Sequence, residues 1–216
     1  MNVLSVDFDI IMAPDINLYN TWVNAAPETN EKGEQMPPRT VDVLAKDYPM
    51  LNGCRADLHH YQKIVNAILT ILPGLKVEDI RVSYNHEDIK YVLENLEEAD
   101  VYNIDHHHDM GYMAPDGNLE EPPVCSCANW VQYFKNKGII KNYTWIKNEN
   151  SELNPMVEEN AQLVNLISVE LLEILPRNDK LFICLSPEWT PGMYHPLFYT
   201  LLDLINRDKH CTLEMH

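Results

Sequence analysis

Short apolar runs punctuate this chain, and each one stops abruptly at polar or ionisable side chains. VLSV, Val3 to Val6, runs into Asp7-Phe8-Asp9. IRVSYN, Ile80 to Asn85, reaches His86. ADVYNID, Ala99 to Asp105, opens onto His106-His107-His108-Asp109. LFICLSP, Leu181 to Pro187, ends at Glu188-Trp189. Runs of this kind, rich in Val, Ile and aromatic residues, read as buried strands. YTWIK, Tyr143 to Lys147, is a fifth. Helical periodicity lies between them. Arg55 to Leu72 sets Leu58, Tyr61, Ile64, Val65, Ile68 and Leu72 on one side, and Pro73-Gly74 ends it. HEDIKYVLENLEEA, from His86, aligns Ile89, Val92, Leu93 and Leu96. Helices are also predicted over Ser126 to Lys137 and Pro196 to Asn206, while Val157 to Leu175 reads either as helix or as strand plus helix.

Alternating strands and helices predict an α/β domain, a three-layer α/β/α sandwich around a mostly parallel sheet. A single domain over 1–216 is expected, with a Pro-, Asn-, Glu- and Gly-containing loop excursion at about 24–53 and no internal repeat. In such sheets ligands sit at the C-terminal ends of the strands. The fold therefore gathers Asp7, Asp9, His86, the Asp105 run and Glu188 on one edge, although they are far apart in the chain.

Composition narrows the partners. With 33 Asp+Glu against 16 Lys+Arg, the net charge of -17 argues against nucleic acid and anionic membrane. It suits a cationic substrate or bound cations; the plainer reading is a solvated acidic surface. Cys54, Cys125, Cys127, Cys184 and Cys211 are an odd number without a disulfide framework, so free thiols in a reducing compartment are expected, with Cys184 in the core. The N-terminus lacks the basic region of a signal peptide, and no apolar run approaches the roughly 20 residues that span a bilayer. A cytoplasmic protein is expected, and association into a homo-oligomer stays open.

The candidate chemistry centres on NIDHHHDMGY, Asn103 to Tyr112. In extended backbone Asp105, His107 and Asp109 point one way and His106 and His108 the other. Asp7 and Asp9 likewise share a side. With His86 this makes four carboxylates and two imidazoles, a mixture that suits two divalent ions of the Mn²⁺ type. Two such ions roughly 3.5–4 Å apart can activate a bridging water, and clustered carboxylates repel one another without cations. Each piece has a plainer reading. A D-x-D at a strand end is a common turn or cap, and His86-Glu87-Asp88 reads as a helix start with an acidic first turn. His59-His60 reads as helix surface or packing, and His210 and His216 as solvated. D-x-H-x-D after an apolar strand is hard to explain as packing.

These segments resemble the arginase-like ureohydrolases. VLSVDFDIIMAPD is similar to that superfamily's S-x-D-x-D-x-x-x-x-P segment and NIDHHHD to its D-x-H-x-D segment; SYNHED resembles its strand-end histidine segment. The order differs, since in arginase the D-x-D strand comes late. The compact chain, together with SPEWTP, resembles the small peptide arginases most, which hydrolyse arginine side chains of ribosomally made peptides to ornithine and urea. The resemblance implies two Mn²⁺ per chain, one held by His86, Asp105, Asp109 and Asp7, the other by Asp105, His107, Asp7 and Asp9. It implies that Asp109 orients the attacking hydroxide and that an arginine-containing peptide is the substrate. Glu188 is the candidate partner of the guanidinium.

Two departures stand out. Arginase carries a proton-shuttle histidine about a dozen residues after D-x-H-x-D, whereas here no histidine occurs between His108 and His195. His195, His106 or His108 would have to substitute. Tyr84-Asn85 also stands where the family has Gly-Asp. A mononuclear zinc amidohydrolase of deacetylase type and a non-catalytic metal-stabilised module are the competing expectations.

Overall fold

The computed structural model describes residues 1–12, 55–111, 124–153, 155–187 and 189–215. The 24–53 excursion and Glu188 lie outside the described residues. Six strands, β1 (Asn2–Asp7), β2 (Ile80–Ser83), β3 (Ala99–Ile104), β4 (Ile140–Lys147), β5 (Gln162–Asn165) and β6 (Lys180–Cys184), form one sheet in the order β2-β6-β1-β3-β4-β5. Every pairing is parallel. Among the described residues six α-helices accompany it: α1 (Leu58–Ile71), α2 (Lys90–Leu93), α3 (Trp130–Asn136), α4 (Pro155–Asn160), α5 (Leu171–Ile174) and α6 (His195–Lys209). No helix among the described residues is long and apolar enough to cross a membrane.

Parallel strands buried on both faces need helices on both sides, and the core divides accordingly. On one face Leu4, Val6, Ile104, Ile146 and Ile183 pack with Ile64 and Ile68 of α1, Leu171 of α5 and Leu201 of α6. On the other, Val3, Val101, Tyr143, Trp145 and Phe182 pack with Leu93 of α2, Trp130 and Phe134 of α3 and Val157 of α4. The result is the three-layer α/β/α sandwich expected from the sequence. Helix α1, after β1, covers the first face; α3, after β3, covers the second. The winding therefore reverses between these two neighbouring strands, and ligands of α/β sheets bind at the C-terminal strand ends of such a point.

Local chemistry trims several predicted elements. IRVSYN stops pairing at Ser83, because the Asn85 side chain accepts from the Glu87 amide and starts a 3₁₀ turn, His86–Ile89. The helix expected from His86 onward shrinks to that turn plus α2. Asn95 closes it by donating to the Tyr91 carbonyl, and the acidic residues that follow, Glu94, Glu97 and Glu98, oppose the negative end of a helix dipole. Helix α3 begins at Trp130 rather than Ser126, since the Ser126 amide donates to Asn129 Oδ1 instead of entering a helix. Val157 to Leu175, ambiguous in sequence, holds the end of α4, then β5, a 3₁₀ turn and α5.

Candidate metal centre

The support for the centre comes from one row of the sheet. Ser5 on β1 is the Cα partner of Phe182 on β6 and of Asn103 on β3, and Asn103 is the partner of Trp145 on β4. Partnered residues of parallel strands project to the same face, so these four lie side by side below the strand ends. Phe182 stacks on the His86 ring at 5.7 Å and 7°. Ser5 Oγ lies 2.8 Å from His86 Nε2. Asn103 Nδ2 donates to Asp105 Oδ2 at 3.1 Å, and Trp145 Nε1 donates to the Asp105 carbonyl at 2.9 Å. The next position along, two residues further up the strands, carries the charges.

Above this row three carboxylates converge on one nitrogen. His86 Nδ1 lies 3.2 Å from Asp7 Oδ2, 3.2 Å from Asp105 Oδ2 and 3.1 Å from Asp109 Oδ2. A ring nitrogen has at most one hydrogen to give, so hydrogen bonding alone accounts for one of the three contacts. A cation with bonds of about 2.1 Å to N and O sets adjacent ligands about 3.0–3.4 Å apart, the spacing seen here. On the other side of Asp105, His107 Nδ1 lies 2.9 Å from Asp9 Oδ2 and 3.8 Å from Asp105 Oδ1. Ligand atoms of His86, Asp105 and Asp109 all fall within 4.8 Å of one another, as do those of Asp9, Asp105 and His107. Two three-residue sets thus share Asp105. Nitrogen and carboxylate donors, largely buried and without a Lys or Arg ion pair among the described residues, could hold divalent cations, whose charge would offset that of the carboxylates.

The protein groups alone show the same imbalance. Burial works against charge at His107, yet the Asp9 carboxylate holds its pKa up at about 10. His86 is likewise raised, its burial outweighed by the acidic groups around it. Burial, then the charge of Asp105, pushes Asp109 up to about 7. Asp105 is lowered, because His86 and His107 outweigh its burial.

Backbone geometry aims the loop. Asp105, His107 and Asp109 do face the cluster, but not by strand alternation, since β3 ends at Ile104. The His107 amide donates to Asp105 Oδ1 at 2.8 Å, folding the chain into an Asx turn. Asp109 then takes a left-handed φ of 51°. Trp130 Nε1 donates to its Oδ2 at 2.7 Å and the Val131 amide to its carbonyl, so the start of α3 holds it there. Ser186, at φ 45°, donates its Oγ to Asp7 Oδ2 at 2.7 Å. Left-handed non-glycine residues cost on the order of 1 kcal/mol or more each and gather where a site demands them.

The off-phase histidines make contacts of their own. His108 Nδ1 accepts from the Met110 amide at 3.1 Å, its ring stands edge-on to Trp145, and its carbonyl accepts from the buried Tyr143 hydroxyl. The His106 ring lies edge-on to His107. Burial, with the charge of His107, pulls the His106 pKa down to about 3. His195, the remaining candidate for proton transfer, makes its contact beside Trp189. It starts α6 with Nε2 2.9 Å from the Thr190 carbonyl, and no ion pair among the described residues joins it to the cluster. His60 is buried on α1 and His59 exposed, with Asp57 capping both amides.

Sequence reasoning missed the supporting groups Ser5, Asn103, Trp130, Tyr143 and Ser186. The usable signal was offset parity: Ser5 stands two before Asp7, and Asn103 two before Asp105. Cys184, expected only as core, is fully buried but also joins Asp7 and His86 in a third grouping of ligand atoms. No family model, curated protein or solved structure matches this chain.

Proposed function

We propose that the chain is a binuclear metal hydrolase, using two Mn²⁺ to cleave the guanidino group of arginine in a peptide to ornithine and urea. The observation that carries the two-ion part is the convergence of three carboxylate oxygens on His86 Nδ1, with Asp105 continuing into the His107 set. The guanidino substrate rests on the motif resemblance and on the net charge of -17, which draws cations toward the protein.

When bound, two divalent cations supply an activated water at neutral pH and offset the carboxylate charge. Asp7, Asp105, Asp109 and His86 would hold one, and Asp9, Asp105 and His107 the other. Ser5 fixes the His86 ring through Nε2, leaving Nδ1 for ligation. Asp109, fixed by Trp130, orients the attacking water and takes its proton, then passes it to the leaving amine. Trp189, 4.9 Å from the His107 ring, walls the more open side of the centre.

The test is a side-by-side urea assay on manganese-loaded protein with free arginine and with an arginine-containing peptide, together with metal counting. Two manganese per chain and urea from the peptide are expected. One tightly held zinc, with acetate released from an acetyl-lysine peptide, would overturn the proposal in favour of the deacetylase reading. The grouping of Cys184 with Asp7 and His86, a set of zinc-type donors, is the observation that favours that second reading.

A further inference from the structure

Strand register sets a thiol against the centre. On the β1–β6 pairing Asp7 and Cys184 are Cα partners, and on the β2–β6 pairing Cys184 is the partner of Ser83, three residues before His86. The Cys184 side chain therefore projects to the same face as the Asp7 carboxylate. One ligand atom each from Asp7, His86 and Cys184 fall within 4.8 Å of one another, and all three residues are buried. Cys184 Sγ lies 3.4 Å from Ser186 Oγ, the hydroxyl that also binds Asp7. A cysteine kept only for packing behaves as a small hydrophobe; this one ends its strand facing an aspartate, a histidine and a serine.

We infer that Cys184 is a thiolate ligand of the ion at His86, an inference that rests on the two-ion reading above. On binding, the S–H bond breaks, its electron pair becomes the sulfur–metal bond and the proton leaves to solvent; nothing is oxidised or reduced. The two positions then differ in kind. The His86 position offers sulfur, nitrogen and carboxylate oxygen, while the His107 position offers only nitrogen and oxygen. Thiophilic ions such as Co²⁺, Zn²⁺ and Cd²⁺ prefer the first, and Mn²⁺ has no such preference. The two positions thereby differ in their donors, and both can still take Mn²⁺.

Cobalt reads this directly. Metal-stripped full-length protein titrated with Co²⁺ is expected to bind two ions and to show a near-ultraviolet sulfur-to-cobalt charge-transfer band. Cys184→Ser should lose the band and about tenfold or more in Cd²⁺ affinity at one position, while Mn²⁺ affinity changes little. The variant with Cys54, Cys125, Cys127 and Cys211 all changed to Ser keeps Cys184 alone and should keep the band, which decides the matter even where Cys184→Ser fails to fold. Two bound cobalt ions without the band, or a band that survives Cys184→Ser, overturns the inference and leaves the two-ion reading standing. A protein that binds no cobalt overturns both.

Discussion

The two halves of the centre share Asp105 and little else. The His86 half is packed against strand residues: the ring is 2% exposed, stacked on Phe182, 5.2 Å from Trp130 and fixed through Nε2 by Ser5. The His107 half is built on a loop: the side chain is 13% exposed and lies against Trp189 and His106. The contrast teaches a division of labour. Ligands held by packed strands keep their geometry, whereas the half nearer solvent is the one a substrate and its water reach first. In the proposed reaction the His86 position anchors and the His107 position exchanges.

The sharpest way to break this contrast is to remove what the halves share. Asp105→Asn should empty both positions and lower urea release at least about a hundredfold, with the circular dichroism of the fold kept. Metal counting checks it, and full loading in that variant would show the halves to be independent. Next come the separate halves. His107→Ala should lose one ion with little change in unfolding, while His86→Ala should lose the other and about 2–3 kcal/mol of stability, because it leaves a cavity between Phe182 and Trp130. Equal costs in urea denaturation would erase the distinction. Ser5→Ala should weaken metal binding about tenfold at the His86 position alone, which competition with a chelator can resolve. Trp130→Phe keeps an aromatic ring but removes the Asp109 hydrogen bond, for about 1–2 kcal/mol in addition to the cost of the smaller side chain, read by chemical denaturation.

A further effect, confined to acid pH, concerns His108. Burial holds its pKa down at about 4, below the 6.5 of an unfolded histidine. A base depressed on folding binds fewer protons in the native state, so its contribution is complete above pH 6.5 and is lost as pH falls toward 4. The loss is about 1.4 kcal/mol per pH unit inside that window. His108→Gln, which can still accept from the Met110 amide, should flatten the slope of stability between pH 6.5 and 5. An unchanged slope would assign the acid sensitivity elsewhere.

The sheet was legible because its strands are apolar runs that end in charge, and Asp7, Asp105 and His86 stand at those ends. Apolar periodicity could not fix where helices stop. That depended on single side-chain bonds, such as Asn95 to the Tyr91 carbonyl and Ser126 to Asn129. The supporting groups were hidden for a different reason. Ser5, Phe182, Asn103 and Trp145 are ordinary strand residues until register places them in one row, and register is a property of pairs of strands. Cys184 was hidden by the same fact, since its place beside Asp7 exists only through the β1–β6 pairing.

That row has a consequence for folding. Side chains alternate, so a slip of one residue in β1, β3, β4 or β6 turns its member of the row to the opposite face and removes one prop from beneath the ligands. Nearly continuous apolar strands discriminate poorly between neighbouring registers, because both faces are buried. Cations that bind only the correctly registered sheet add their binding free energy to that register alone. Metal would then act as a proofreader of the sheet, rewarding the one alignment in which Phe182, Ser5, Asn103 and Trp145 stand abreast.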